Sequence, residues 1–558
     1  MLRRLLKSLW DRATLWRAPD RDAAGVVLED ARRLRAAGDQ DAAHRVLAEG
    51  VRRFPAAAEL WNNLGTLRLA QGDLAAAERY FRRAADLSPA LAEAHTNLGI
   101  TLAKQGGYAG AENHFRRAVA LDPGLLAARE NLATLLTQQL DHDAALAAWD
   151  EVLRIKPDHA DAHAAKGMLL MREGVYDGAR GLLARARGLG LDTPSLALHE
   201  AVLEAAVGDA AAARSAIEAL RGHIEDAEID WNYAILCLSQ GNFAEGWPLY
   251  EARLRRSFES PRRPYPFPDW DGTPLDDGTL LIMAEQGLGD EIMFASCYAD
   301  AVARAGRCVI ECSPRLERLF ARSFPGAQVV GHARGDGDTW LQSYPGITRQ
   351  IHAGSLPRFF RLRQEAFPSH NGYLQANDAQ IADWRAQLAR HGEGPCVGIA
   401  WSGGLRHTRR ALRSIPLSDF ARLLRLPGAQ FVSLQHDDDG SGARELAALS
   451  GAPVHFFAEA LADLDATAAL VSALDVVITV CSTVVHLSGA LGVRTWVLTP
   501  GVAEWRYLDR GEALPWYPSA RVFRQSETGE WNGVIERVVR AFDQAFVAGG
   551  SNRPGPGD

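Results

Sequence analysis

The stretch LWNNLGTLRLAQGDLAAAERYFRRAADLSP, residues 60–89, decides the fold of the first half of the chain. Its apolar residues recur at helical spacing on both sides of Gly72-Asp73, which predicts two amphipathic helices joined by a turn. The first ends near Gly72 and the second begins after Asp73, the expected N-cap. Gly65 and Ala77 are small enough for the helices to approach closely, Phe81 fills the gap between them, and Pro89 ends the pair. The pattern returns every 34 residues. Pro55, Pro89, Pro123 and Pro157 form one column; Gly65, Gly99, Ala133 and Gly167 a second. Ala77, Ala111, Ala145, Ala179 and Ala213 form a third; Phe81, Phe115, Trp149, Leu183 and Ile217 a fourth. Four columns in register define an array of helical hairpins that bury a shared core.

With Trp, Leu-Gly, Ala, Phe and Pro at these offsets, the array resembles the tetratricopeptide repeat. The match is strong from about 57 to 190. It is weaker over 23–56 and 191–222, which keep the Gly38-Asp39 and Gly208-Asp209 turns but lose the aromatics. Roughly six units precede a divergent last one at 229–256. Asn62, Asn97, Asn131 and His163 lie near the starts of successive first helices. They are candidates for a groove whose amides bond the main chain of an extended peptide; the alternative is a row of solvated polar positions.

Composition sets the outer limits. The chain has 558 residues, 47% hydrophobic and 23% charged, which fits several globular domains rather than a disordered or fibrous chain. Its net charge of −8 excludes a broad nucleic-acid-binding face. No apolar run reaches the roughly 18 residues of a transmembrane helix. The basic amphipathic segment MLRRLLKSLWDRATLW (1–16) lacks the core and cleavage site of a secretory signal. It reads as a solvated leader helix, with contact to a membrane surface or a partner as the alternative. Six scattered cysteines without a CxxC pair read as buried hydrophobes of a cytoplasmic protein, and no metal site is expected.

The pattern changes after 278. The Pro- and Gly-rich segment SPRRPYPFPDWDGTPLDDG (260–278) predicts an ordered linker packed by Phe267 and Trp270. Short apolar runs then alternate with helical stretches. Strands are expected at TLLIMA (279–284), CVIEC (308–312), QVV (328–330), CVGIAW (396–401), QFVSLQ (430–435), PVHFF (453–457), VVITV (476–480) and TWVL (495–498). Helices are expected at 291–305, near 314–323, 416–425, 442–449, 463–474 and 483–491, and over 531–547. The alternation predicts α/β architecture: two Rossmann-like parallel-sheet halves facing each other across a cleft. Ligands bind such sheets at the carboxyl ends of the strands, here loops 285–290, 402–413, 435–442, 481–486 and 499–506.

Three of these loops carry chemistry. In Glu285-Gln286-Gly287-Leu288-Gly289-Asp290, Gly287 and Gly289 permit close backbone approach to an anion at a helix N-terminus. The loop lacks the Lys-Ser/Thr of a Walker loop and the third glycine of a dinucleotide fingerprint. Asp290 is either a helix cap or, with Glu285 nearby, the best general base. Trp401, Ser402 and Gly403 precede Arg406, His407, Arg409, Arg410 and Arg413, a basic cluster suited to a diphosphate. A solvated basic loop is the alternative. Asp437-Asp438-Asp439 reads as a solvated turn. Cys481, Ser482 and Thr483 arrive at a helix N-terminus, where hydroxyls and N–H groups can hold phosphate oxygens. His486 follows one turn in and could donate to a phosphate. Cys481 has no base beside it and is not expected to act as a nucleophile.

Taken together, residues 270–545 resemble bacterial glycosyltransferases of the two-Rossmann (GT-B) type, close to the heptosyltransferase-like family. The match rests on Trp270-Asp271-Gly272, AEQGLGD (284–290), Trp401-Ser402-Gly403, Arg413-Ser414-Ile415-Pro416, Ser433-Leu434-Gln435, His486-Leu487 with Gly489-Ala490-Leu491-Gly492, and Pro515-Trp516-Tyr517-Pro518 with Phe523-Arg524-Gln525. With the repeats, the layout is similar to bacterial repeat-plus-transferase proteins, including those that glycosylate flagellin, and to the eukaryotic O-linked N-acetylglucosamine transferase. Many relatives carry Asp-Thr where this chain has Cys481-Ser482.

The resemblance implies metal-independent sugar transfer from a nucleotide sugar, a co-substrate, with no cofactor. Asp290 matches the base; Ser402, Gly403, Arg413, Gln435, Ser482 and His486 match nucleotide-binding positions. The implied acceptor is a protein, flagellin-like, held by the repeats. Two alternatives stand beside it: an inactive repeat scaffold for protein interaction or flagellar regulation, and a transferase acting on lipopolysaccharide or another glycan. The expected divisions are a leader (1–22), the solenoid (23–256), the linker (257–278), the first sheet half (279–375), the nucleotide-binding half (376–547) and a disordered tail (548–558).

Overall fold

The computed structural model describes residues 21–256, 265–333, 336–369, 372–404, 409–436, 439–527 and 529–547. The expected leader, apart from its last two residues, and the tail lie outside these residues. So do Arg406, His407, Asp437, Asp438 and the first part of the linker.

Fourteen helices run from Arg21–Ala36 to Phe243–Tyr250 among the described residues. The pair within 60–89 is Ala58–Ala70 and Leu74–Leu87. Asp73 caps the second helix, its carboxylate accepting from the Ala76 amide at 3.0 Å. Asp39, Asp141 and Asp209 repeat the arrangement in other units. Phe81 and Phe115 are buried against Gly65 and Gly99. A Cβ on Gly99 would stand 2.6–3.0 Å from three carbons of the Phe115 ring. Gly99→Ala therefore gains about 1 kcal/mol of helix propensity and loses about 1–3 kcal/mol to overpacking. A lowered helical melting temperature, read by circular dichroism, is the expected result; an unchanged or raised one would refute the close packing.

Contact density divides the chain into two compact units. The first comprises residues up to Leu169 with Gly181–Leu191, the second Leu170–Arg180 with Asp192 onward. The last helices of the array thus belong with the α/β region.

The second unit holds two all-parallel sheets. The first has the order β3-β2-β1-β4, with β1 Thr279–Met283, β2 Cys308–Cys312, β3 Gln328–Gly331 and β4 Ile347–His352. The second has the order β10-β9-β8-β5-β6-β7, with β5 Cys396–Ala400, β6 Gln430–Ser433, β7 Val454–His455, β8 Val476–Val480, β9 Thr495–Thr499 and β10 Ala520–Arg524. β2, β5, β8 and β9 are buried along their whole length, as sheets covered on both faces require. The fold is an α-helical solenoid followed by two α/β halves, as expected.

Several details differ from expectation. β4 and β10 were not anticipated. The single helix expected over 291–305 is two, Leu288–Phe294 and Tyr298–Ala305, parted by a 3-10 turn at Ala295–Cys297. The helix expected at 416–425 is one turn of helix, Leu417–Phe420, continued as a 3-10 turn. The 531–547 helix, Asn532–Phe542, ends in a π turn at Asp543–Val547. In the linker, Trp270 is buried and Phe267 half-buried. The stretch beside Trp270 also pairs with β4: Trp270 N–H donates to the Gln350 carbonyl and Gln350 N–H to that of Pro268.

The final helix of the array is wedged into this unit by aromatic packing. Trp247 lies edge-on to Trp505, Trp516 and Tyr250 at centroid distances of 5.4–6.0 Å. Its indole N–H donates to the Arg361 carbonyl at 2.9 Å.

Candidate functional site

The two sheets present their carboxyl ends to each other. β1 leads through residues 284–287 into the helix Leu288–Phe294, and β8 leads through Cys481 and Ser482 into the helix Thr483–Ala490. These helices meet at Gly289 and His486. A Cβ on Gly289 would stand 2.9 Å from His486 Cδ2, so this glycine serves the helix contact. Gly287 is the N-cap of its helix, and a Cβ there would meet only Asp290 Oδ2, at an ordinary 3.8 Å.

Asp290 is both a cap and half of an ion pair. One carboxylate oxygen accepts from the Gly287 amide at 3.4 Å; the other accepts from the Arg506 guanidinium at 2.6 Å. Arg506 lies in the turn after β9, so this pair joins the two sheet halves. Arg413 pairs with Glu504 at 2.7 Å. Arg524, at the end of β10, donates one guanidinium nitrogen to the Tyr507 carbonyl, while its Nε and Nη1 are buried with no partner. Three arginines and two carboxylates thus gather after the carboxyl ends of β1, β5, β9 and β10. Burial lowers the Arg524 guanidinium from its ordinary value. Arg506 is raised, because Asp290 and Glu504 outweigh its burial.

Sequence reading missed Arg506, Glu504 and Arg524 as site residues. Loop 499–506 was marked by its position after a strand, but Glu504-Trp505-Arg506 has no glycine-rich signature to single it out.

Glu285 is not available as a base. It is buried in a bidentate pair with Arg253, at 2.7 and 2.8 Å, and also accepts from the Gly354 amide. Burial works to raise its carboxyl, yet Arg253 holds it below the usual range.

His486 is buried, with Nδ1 2.9 Å from the Tyr517 hydroxyl. Burial, then Arg506 and Arg413, hold it neutral, well below its ordinary pKa. Below about pH 6.5 the unfolded chain takes up a proton that the folded site refuses, so acid removes stability. Denaturation midpoints should fall between pH 7 and 5 in the native chain. His486→Gln should flatten that slope; an identical slope would place the proton elsewhere, for instance on half-buried His199, which desolvation lowers to about 4.

The β5 loop is held by internal bonds. Gln435 accepts from the amides of Trp401 and Ser402 at 3.2 and 3.1 Å and donates to the Ser402 carbonyl at 3.1 Å. Ser402 Oγ lies 2.9 Å from Ser414 Oγ and accepts from Arg410 Nε. Trp401 is buried against Phe420. A Cβ on Gly403 would lie 2.2 Å from the Cys481 carbonyl oxygen, so Gly403 lets two strand-end loops touch. Ser482 caps its helix by accepting from the Val484 amide, and Thr483 is the first helical residue. Cys481 is fully buried, and burial raises its thiol. Asp439 accepts from the Ser441 amide at 3.0 Å, just ahead of Gly440, the N-cap of the helix Ser441–Ser450. No group of three or more His, Cys, Asp and Glu side chains placed to hold a metal occurs among the described residues.

Known proteins resemble this chain in two ways. Residues 56–124 and 102–169 each match a tetratricopeptide repeat family. Residues 56–169 are tetratricopeptide repeats. A crystallised tetratricopeptide repeat protein from Parabacteroides merdae is 20% identical, with 43% of this chain and 95% of that one covered and a TM-score of 0.35. One from Thermus thermophilus is 25% identical, with 33% and 100% covered and a TM-score of 0.28. Protein FlbA of Caulobacter vibrioides is 33% identical over 356 residues, 61% of this chain. The chain spans 58% of that protein's length.

Within the tetratricopeptide array the four groove candidates divide. Asn97 donates to Asn62 Oδ1 at 2.9 Å, linking two neighbouring units. Asn131 donates to the Ala127 carbonyl of its own helix. His163 belongs to a different column. Its Nε2 lies 2.9 Å from the Pro157 carbonyl, and Trp61, His95 and Arg129 make the equivalent bond to Pro55, Pro89 and Pro123 at 2.9–3.2 Å. Each is the sixth residue after its proline, so the bond fastens a first helix to the preceding turn. No helix among the described residues is long and apolar enough to cross a membrane.

Proposed function

We propose that the second unit is a nucleotide-sugar-dependent, metal-independent glycosyltransferase that glycosylates hydroxyls of a cytoplasmic protein acceptor, flagellin-like, presented by the repeats. The observation that carries this reading is the pairing of Asp290, from one parallel sheet, with Arg506, from the other, at the carboxyl ends of both. The departing nucleotide phosphate needs positive charge, and electrostatic stabilisation is usually the largest catalytic term. Arg506 and Arg413 would turn from their own carboxylates to phosphate oxygens. That exchange would free the Asp290 oxygens to take the proton of the attacking hydroxyl. The acceptor and the sugar rest on family resemblance alone.

A second reading is an inactive scaffold, favoured by the internal pairing of Arg413 and Arg506 and the sealed, neutral His486. One experiment separates them. The protein is melted with a panel of UDP-, GDP-, CMP- and ADP-sugars, then co-expressed with the host's flagellin, whose intact mass is measured. Stabilisation by one nucleotide with a discrete mass gain supports the enzyme. Neither effect, with the partner still bound, supports the scaffold. Mass gain on a glycan without protein would instead support a glycan transferase.

A further inference from the structure

Arg413 projects from a short segment with two attachments. On one side it is tied to the β5 loop: Ile415 N–H donates to the Trp401 carbonyl, and Ser402 and Ser414 form a bridge. On the other it meets the turn joining the helices Ala160–Arg172 and Tyr176–Gly188, at residues that group with the second unit. Arg409 donates to the Tyr176 hydroxyl at 2.9 Å and, through Nε, to the Arg172 carbonyl at 3.4 Å. That carbonyl lies at a helix C-terminus, where a cation is favoured. Leu412 fits against Gly174, where a Cβ would lie 2.7 Å from Leu412 Cδ2. Gly174 itself has φ +78°, and this turn conformation leaves room for the leucine.

Arg409 also adopts φ +62°, a left-handed conformation that is unfavourable for an arginine. Such a conformation persists only where surrounding contacts impose it. From Arg409 the chain makes one helical turn, with the amides of Leu412 and Arg413 donating back to its carbonyl at 3.1 and 3.3 Å. The direction in which Arg413 leaves the backbone is therefore set at Arg409.

We propose that Arg409 and Leu412 anchor this segment on the repeat turn at Gly174 and Tyr176, making Arg409 a positioning residue for Arg413 and, through it, for the phosphate of a bound nucleotide. The anchoring rests on the geometry alone; its effect on the nucleotide rests on the transferase reading above. The repeat turn then has a role separate from peptide capture: it orders an anion-binding arginine of the second sheet.

The test uses the full chain with Tyr176→Phe, Arg409→Ala and Arg409→Lys. Amide exchange of residues 409–415 is followed by mass spectrometry, and UDP, GDP, CMP and ADP are titrated. Tyr176→Phe removes one oxygen and keeps the ring in place. Loss of one charged hydrogen bond should speed exchange in 409–415 by about tenfold while β5 and β8 keep their native protection. Affinity for whichever nucleotide binds the native chain should fall about tenfold with the melting temperature unchanged, and Arg409→Lys should restore part of it. Unaltered exchange in both Tyr176→Phe and Arg409→Ala would overturn the anchoring. Faster exchange with unchanged nucleotide affinity would overturn the positioning role. If the native chain binds none of the four nucleotides, the transferase reading fails, and the exchange result still decides the anchoring.

Discussion

Replacing Arg253 with methionine should destabilise the second unit by about 3–5 kcal/mol, the cost of leaving a buried charge without its partner. Arg253 is almost fully buried and offers Glu285 two parallel hydrogen bonds, from Nε and Nη2; Nη2 also reaches Ser355 Oγ at 2.8 Å, and Nη1 donates to Glu251 Oε1 at 2.8 Å. Methionine preserves much of the side-chain volume but leaves Glu285 facing only the Gly354 amide. The pH dependence identifies the mechanism. In the native chain the Glu285 carboxyl is held below its ordinary value, so its contribution is present above the unfolded carboxyl's pKa and is lost as acid protonates it. In Arg253→Met burial is opposed mainly by the Gly354 amide and raises that carboxyl, so protonation relieves the variant. The gap between the two proteins, measured by urea denaturation at pH 7.5 and 5, should narrow in acid. Arg253→Met with Glu285→Leu should recover most of the loss, since a buried ion pair replaced by apolar groups is often neutral or better. A gap that is constant with pH would mean that the loss comes from packing alone.

On the transferase reading proposed above, Asp290→Asn should lower sugar transfer by about 10²–10⁴-fold, the usual contribution of a positioned base. The amide oxygen can still accept from Gly287, so the helix start survives. Its partner Arg506 loses a carboxylate but keeps its position after β9. Nucleotide affinity should hold or rise, because Arg506 no longer has to leave Asp290 to reach a phosphate. The checks are an initial-rate assay on the acceptor found by mass measurement and a nucleotide titration of the same variant. Transfer at the native rate would remove Asp290 from the chemistry and direct attention to another group that reaches the acceptor.

Much of this architecture could be read in the chain, for a physical reason. Each repeat column is set by one local contact, such as Phe81 on Gly65, so periodicity alone exposed it. Strands buried on both faces appeared as unbroken apolar runs. β4 and β10 escaped because each is the last strand of its sheet, flanked on one side only by loop residues, and ITRQIH and ARVFR mix exposed and buried positions. Glycines were the least transparent. Gly289 was read as room for a ligand and Gly403 as a nucleotide-binding position, and each leaves room for part of the protein itself: the His486 ring and the Cys481 carbonyl. The opposite error concerned Glu285, whose partner Arg253 lies 32 residues away in a helical unit. Charge pairs assembled across such distances leave no local spacing to detect.

The wedge formed by Trp247 has a consequence for how the chain is made. Trp247 and Tyr250 are fully buried in the finished protein, but their partners Trp505 and Trp516 are encoded more than 250 residues later. At about 5–20 residues per second, a ribosome needs roughly 13–50 s to reach them. For that interval the end of the array has emerged with its aromatic face uncovered. The nascent chain is therefore a ready client for a holdase chaperone, and slowing elongation between 260 and 500 should raise the fraction that aggregates before release.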